Sequence, residues 1–149
     1  MKKEVANDIF FAEVERLLAR GESVTMLVRG DSMRPLLRDR IDRVTIRRHR
    51  PHEIAKGAIL LFRHGGAYAM HRVKACAGSE VILAGDGNCG ATERARREDI
   101  IAIAVSIARP DGKIINCSDR RLRIASAAWL MLPPFARRCI LGITKRLKT

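Results

Sequence analysis

The sequence predicts a mainly β, α+β fold. An antiparallel meander of short strands forms a partly open barrel, with a helix before it and helical segments after it. Three observations carry that expectation. Apolar residues recur with a period of two, or in short buried runs, through the middle of the chain. Turn-forming groups such as His64-Gly65-Gly66 and Gly85-Asp86-Gly87-Asn88 separate those runs. Helical periodicity is confined to the two ends. The chain reads as one domain over residues 1–149, divided into an N-terminal helix (1–22), a β core (23–118) and a basic amphipathic tail (119–149).

Residues 4–20 place Val5, Ile9, Phe10, Val14, Leu17 and Leu18 at helical spacing, and Gly21 sits where a helix C-cap belongs. Val24–Val28 reads as a short strand ended by Arg29-Gly30-Asp31, after which Arg34-Pro35-Leu36-Leu37 leads away as a short helical turn. Arg43–Arg47 alternates strictly, and Ala58–Arg63 is a more buried run. Ala67–Lys74 pairs back across His64-Gly65-Gly66 as a hairpin. Glu80–Ala84, the turn at 85–88, and Ile100–Ile107 follow, and Asp111-Gly112-Lys113 marks one more hairpin. Beyond Asp119, Arg120–Leu132 and Phe135–Ile143 are apolar and basic segments broken by Pro133-Pro134.

A chain of 149 residues with 47% apolar content can bury one real core, and aromatics at 4% leave that core to Val, Ile, Leu and Ala. Charge is the outlier: 29 Lys and Arg against 16 Asp and Glu give +13. Such a surface favours anionic partners. The clusters Arg47-Arg48-His49-Arg50 and Arg94–Arg97 offer salt-dependent phosphate attraction. In the tail, Trp129, Leu130, Met131, Leu132 and Phe135 among arginines and lysines suit either an anionic membrane surface or a helix packed over the barrel. Oligomeric state is not legible.

The four cysteines at 76, 89, 117 and 139 form no C-x-x-C pair and lack ligand spacing, which points to reduced, part-buried positions and no metal or other cofactor. The N-terminus has no apolar signal-peptide core and no stretch reaches a membrane span. A cytoplasmic or peripherally membrane-associated protein is the expectation.

Two residues invite chemistry. Ser32 lies in Gly30-Asp31-Ser32-Met33-Arg34-Pro35, a sharp turn, and a serine needs a base to become a nucleophile. His71 shares one strand face with Ala67, Ala69, Val73 and Ala75, small neighbours that leave room for a substrate or second side chain, while Arg72 and Lys74 point the other way. Each has a bland reading. Ser32 or Asp31 also suits a helix N-cap, and a strand histidine is usually just packed.

Taken together, Gly30–Leu37, Arg43–Ile46, Lys56–Phe62, His71-Arg72-Val73 and Gly85–Asn88 resemble, in order, the signal-peptidase and repressor-autoprotease superfamily of serine peptidases. The similarity covers about residues 23–108, and the tail around Trp129–Arg138 is similar to that of small members without a membrane anchor. The resemblance implies a serine endopeptidase cleaving a precursor or leader peptide, with Ser32 as nucleophile and His71 as general base, as in histidine-type members. It also implies that the Ser32 amide serves the oxyanion hole. DNA-binding members of the superfamily carry a separate helical domain, whereas only residues 1–22 precede the core here, so the resemblance implies no specific nucleic-acid binding. Gly30 stands where some relatives carry a second, hydroxyl donor, and Gly57-Ala58 replaces a usual Gly-Asp. Asp86 matches a box that either orients His71 or closes a turn, and the turn reading is the stronger. Glu93 and Asp99 are weaker orienters. The other reading is a catalytically inactive descendant of the fold that serves as a basic membrane- or protein-binding module.

Overall fold

A computed structural model describes residues 2–88 and 90–146, with side chains described over 8–88 and 90–144. Cys89, the Val5 side chain and the side chains of 145–149 lie outside the described side chains. Helix α1 (Lys2–Ala19) is followed by strands β1 (Val24–Leu27), β2 (Arg43–Arg47), β3 (Ile59–His64), β4 (Ala67–Ala77), β5 (Glu80–Ala84), β6 (Glu93–Arg96), β7 (Ile100–Ala108) and β8 (Ile114–Asn116). Helices α2 (Arg120–Met131) and α3 (Pro134–Arg146) complete the chain. The strands form one open, half-barrel antiparallel sheet in the order β1-β2-β7-β3-β4-β5-β6, with β8 also on β7. The mainly β expectation therefore holds.

Strand β7 is the pivot. Arg47 of β2 and Leu60 of β3 both pair with Ile103, and β2 and β8 both pair with Ser106–Ala108. One edge of β7 is thus taken by β2, and the other by β3 and then β8. Two cores lie on opposite faces. Ile59 and Leu61 of β3 enter one, with Val44, Ile46, Met33 and Leu37; Leu60 and Phe62 enter the other, with Val73, Val81 and Leu83. Burial on both faces is why 59–62 reads as an unbroken apolar run instead of an alternating one.

Helix α1 inserts Val14 and Leu18 into the first core and stacks Phe11 on Tyr68 at 4.1 Å. Ile9 and Phe10, expected on the apolar face, are 68% and 46% exposed because the buried face runs through Phe11, Val14 and Leu18 instead. Gly21 ends the helix at φ +81°, its N–H donating to Leu18 O.

Asp42 is fully buried and ties the exit of the Ser32 turn to the β7–β8 hairpin. It accepts from the Arg38 amide at 2.9 Å, from the Arg38 guanidinium at 2.8 and 3.0 Å, and from Arg109. Burial pushes its carboxyl up, but the Arg38 hydrogen bonds and the Arg109 charge outweigh that and hold it below the ordinary value. Glu53 is held at about 2, chiefly by its hydrogen bonds from Arg47.

One strand escaped the sequence. β6 is Glu-Arg-Ala-Arg, with only Ala95 buried, so its apolar alternation is a single residue deep. It is the last strand in the sheet order, where charged side chains are common. Arg94 and Arg96, read as part of a basic cluster, are therefore exposed side chains of an edge strand.

Asp119 caps α2 by accepting from the Arg121 amide. Pro133-Pro134 separates α2 from α3, as expected. α3 is inside out: Arg137 is buried, whereas Phe135, Ile140 and Ile143 are 70%, 38% and 59% exposed. On α2, Ile124 and Met131 are exposed as well. No helix among the described residues is long and apolar enough to cross a membrane.

Candidate active site

Ser32 sits on a turn fixed from three sides. Gly30 adopts φ +90°, open to glycine, and its N–H donates to the Asp39 carboxylate at 2.8 Å. Arg34 N–H closes the turn onto Asp31 O, and Leu37 N–H donates to Met33 O. Met33 and Leu37 are buried plugs in the first core. The segment is a run of turns rather than a helix start, so Ser32 is no helix cap. Its own N–H donates to no acceptor among the described residues.

The third side is the loop after β5. Gly87 N–H donates to Ser32 O at 2.8 Å, and Asn88 N–H donates to Gly85 O. A Cβ on Gly85 would stand 2.3 Å from Ser32 O, and one on Gly87 2.6 Å from Asp31 O. Both contacts are with backbone, so these glycines serve close approach as well as the turn. Gly85→Ala is expected to push the Ser32 turn away, costing about 2 kcal/mol in thermal unfolding and roughly a hundredfold or more in any Ser32-dependent turnover. An unchanged melting temperature and rate would show that the loop yields freely.

Asp86 does not orient His71. Its carboxylate accepts from Arg72 Nε and Nη2, both at 2.8 Å, while Arg72 Nη1 donates to Gly57 O at 2.9 Å. Both side chains are buried. The correction has a simple cause: Arg72 and His71 alternate on β4, so a carboxylate facing Arg72 faces away from the histidine. The Asp86 carbonyl accepts from Trp129 Nε1 at 2.9 Å, which pins α2 over the same loop.

The partner of His71 is Glu93, brought by the unpredicted β6. His71 Nδ1 and Glu93 Oε2 are 2.6 Å apart. A carboxylate only accepts, so in a neutral imidazole the contact puts the proton on Nδ1 and leaves the lone pair on Nε2. Asp99 lies in the 3-10 turn after β6 and makes no hydrogen bond to His71. The expected room beside His71 is absent: the residue is 4% exposed, pairs with Leu60 across the ladder and lies 5.7 Å from the Phe62 ring. Small neighbours on its own strand are offset by large ones on the next.

The backbones of Ser32 and His71 both approach Gly85. The ladder pairs Arg72 with Ala84, so His71 and Gly85 are the next residues on their strands, and Gly85 is where Ser32 O packs. No hydrogen bond joins Ser32 to His71. A cleft of about 630 Å³ opens beyond Arg72, between β3, β8 and α2, and neither Ser32, His71 nor Glu93 lines it. Cys117 on its wall has its thiol pushed up to about 11 by burial, which leaves it unreactive at neutral pH.

Glu93, ranked in the sequence below Asp86 as an orienter, is the acid that the structure places against His71. Its only signal was the alternation of Glu93, Arg94, Ala95 and Arg96 opposite the Glu80–Leu83 run. No protein-family model matches the chain, and no curated protein or solved structure matches it significantly.

Proposed function

We propose that this chain is a serine endopeptidase of signal-peptidase type that cleaves a precursor or leader peptide. Ser32 is the nucleophile, His71 the general base, and Glu93 the acid that fixes the imidazole. The observation supporting this most is the 2.6 Å contact from His71 Nδ1 to Glu93, because it selects the tautomer a base needs. His71 Nε2 takes the Ser32 hydroxyl proton as Oγ attacks the scissile carbonyl. The Ser32 N–H donates to the oxyanion, and Glu93 stabilises the imidazolium. The imidazolium then protonates the leaving amine, and water, deprotonated by the same nitrogen, releases the acyl group. Ser32 and His71 must close up when substrate binds, as catalytic hydrogen bonds commonly do.

A second reading has its own support. The open Ser32–His71 contact suits a non-catalytic binding module, and the outward Phe135, Ile140 and Ile143 of α3, with a +13 chain, suit an anionic bilayer surface. The two readings separate in one experiment: the protein is incubated with a peptide library and new termini are sought by mass spectrometry. Wild type should generate them, and Ser32→Ala and His71→Ala should each fall by roughly a thousandfold or more with the circular dichroism unchanged. Cleavage that survives in Ser32→Ala, or none by wild type, rejects the peptidase.

A further inference from the structure

Strand β7 has a stretch of edge with which no strand pairs. β3 pairs along it as far as Ile103, and β8 takes it up again at Ser106. Ala104 and Val105 lie between. There β7 also bulges: the β2 ladder passes from Thr45 on Ser106 to Ile46 on Ala104 and skips Val105. The cleft of about 630 Å³ opens over this gap, and Val105 and Ser106 line it together with Leu122, Arg123 and Ser126 of α2. Its volume is that of sites which hold a small molecule.

The charges that line the cleft do not cancel. Glu53 is its one carboxylate, and Arg47 engages both of its oxygens, at 2.9 and 2.6 Å. Arg72 is taken by Asp86. Lys56 and Arg123 remain, and their side chains form no hydrogen bond or ion pair among the described residues. The hydroxyls of Ser106 and Ser126, both half-buried, likewise have no partner among the described residues. A chain of net charge +13 carries other unpaired surface cations. Lys56 and Arg123 differ from those in lining one cavity with apolar walls, where Ile114 is left 71% exposed.

We propose that the cleft between β3, β8 and α2 binds a small amphiphilic anion. Lys56 and Arg123 hold its carboxylate or phosphate head, and an apolar chain lies against Val105, Ile114 and Leu122. An ammonium and a guanidinium both form charge-assisted hydrogen bonds with such a head. Each methylene removed from water against the apolar wall adds to the affinity. The site does not depend on the peptidase reading, since neither Ser32, His71 nor Glu93 lines it.

Binding is measured by equilibrium dialysis with decanoate and with decyl phosphate, below the concentrations at which they form micelles. At least one should bind tenfold or more tighter than 1-decanol, which lacks the charge, and than acetate or inorganic phosphate, which lack the chain. Comparison of the two identifies the head. Lys56→Gln with Arg123→Gln should weaken that binding tenfold or more and leave the melting temperature unchanged, because neither side chain has a partner to lose. Arg48→Gln with Lys113→Gln removes the same charge at exposed positions outside the cleft and should change binding less than twofold. Ile143→Ser, on the exposed face of α3, should also change it less than twofold. No saturable binding of either anion overturns the proposal, as does a loss in the Arg48 and Lys113 control equal to that in the Lys56 and Arg123 variant. Binding that Ile143→Ser abolishes and the Lys56 and Arg123 variant keeps overturns it in favour of the α3 surface. A protein that binds decanoate but cleaves no peptide keeps the site and loses the peptidase reading, and the converse loses the site alone.

Discussion

Asp86→Ala is expected to destabilise the fold by about 3–5 kcal/mol. Arg72 and Asp86 have side chains only 4% and 3% exposed, and they share two hydrogen bonds of 2.8 Å. Truncating the acid leaves a guanidinium in the protein with the Gly57 carbonyl as its one remaining acceptor. The paired change Arg72→Met with Asp86→Leu should recover most of the loss, because it removes the charge together with its partner. Urea unfolding of the two proteins makes the comparison. A single-variant loss below about 1 kcal/mol would mean that water replaces the carboxylate. The site should fail along with the pair, since Gly85 and Gly87 flank Asp86 and hold the Ser32 turn.

Glu93→Ala is expected to lower kcat by roughly 10²–10⁴-fold with little change in KM. The alanine variant frees the imidazole to turn and to exchange tautomers, and nothing then stabilises its charged form. Glu93→Gln keeps an acceptor for Nδ1–H without the charge, so its loss should be intermediate. Proton NMR separates positioning from general damage. A downfield Nδ1–H signal from His71 should be visible in wild type, weakened in Glu93→Gln and gone in Glu93→Ala, while the methyl region stays constant. Equal activity in all three proteins would assign Glu93 to structure alone.

The strands of the core were legible because their residues are buried on one or both faces, which writes the period of the sheet into the sequence. The Ile59–His64 and Ala67–Ala77 hairpin fell close to its expected limits, with Gly65 and Gly66 both at positive φ. The same logic hid β6, where Ala95 alone is buried and no period can be read. Because Glu93 rides on that strand, it was ranked as a weaker orienter of His71 than Asp86, which is conspicuous in its glycine-rich turn. The roles of Gly85 and Gly87 were hidden for another reason: their missing side chains are required by Ser32 O and Asp31 O, more than fifty residues earlier, and a turn motif looks the same whether or not another backbone lies against it. On α3, the apolar and basic residues were evident, but burial of Arg137 in place of Phe135 runs against the hydrophobic pattern.

The contact of Ser32 with Gly85 and Gly87 also sets an order of events during synthesis. Ser32 leaves the ribosome dozens of residues before the loop that shapes its turn, and before the strand that carries Glu93. Until the β4–β5 hairpin has closed and β6 has joined it, Ser32 has no fixed backbone and His71 no fixed ring. Contacts this distant in sequence form late, after the entropy of closing a long loop has been met. A nascent chain therefore carries Ser32 and His71 before their surroundings exist, and the proposed active site matures only when nearly the whole sheet is in place.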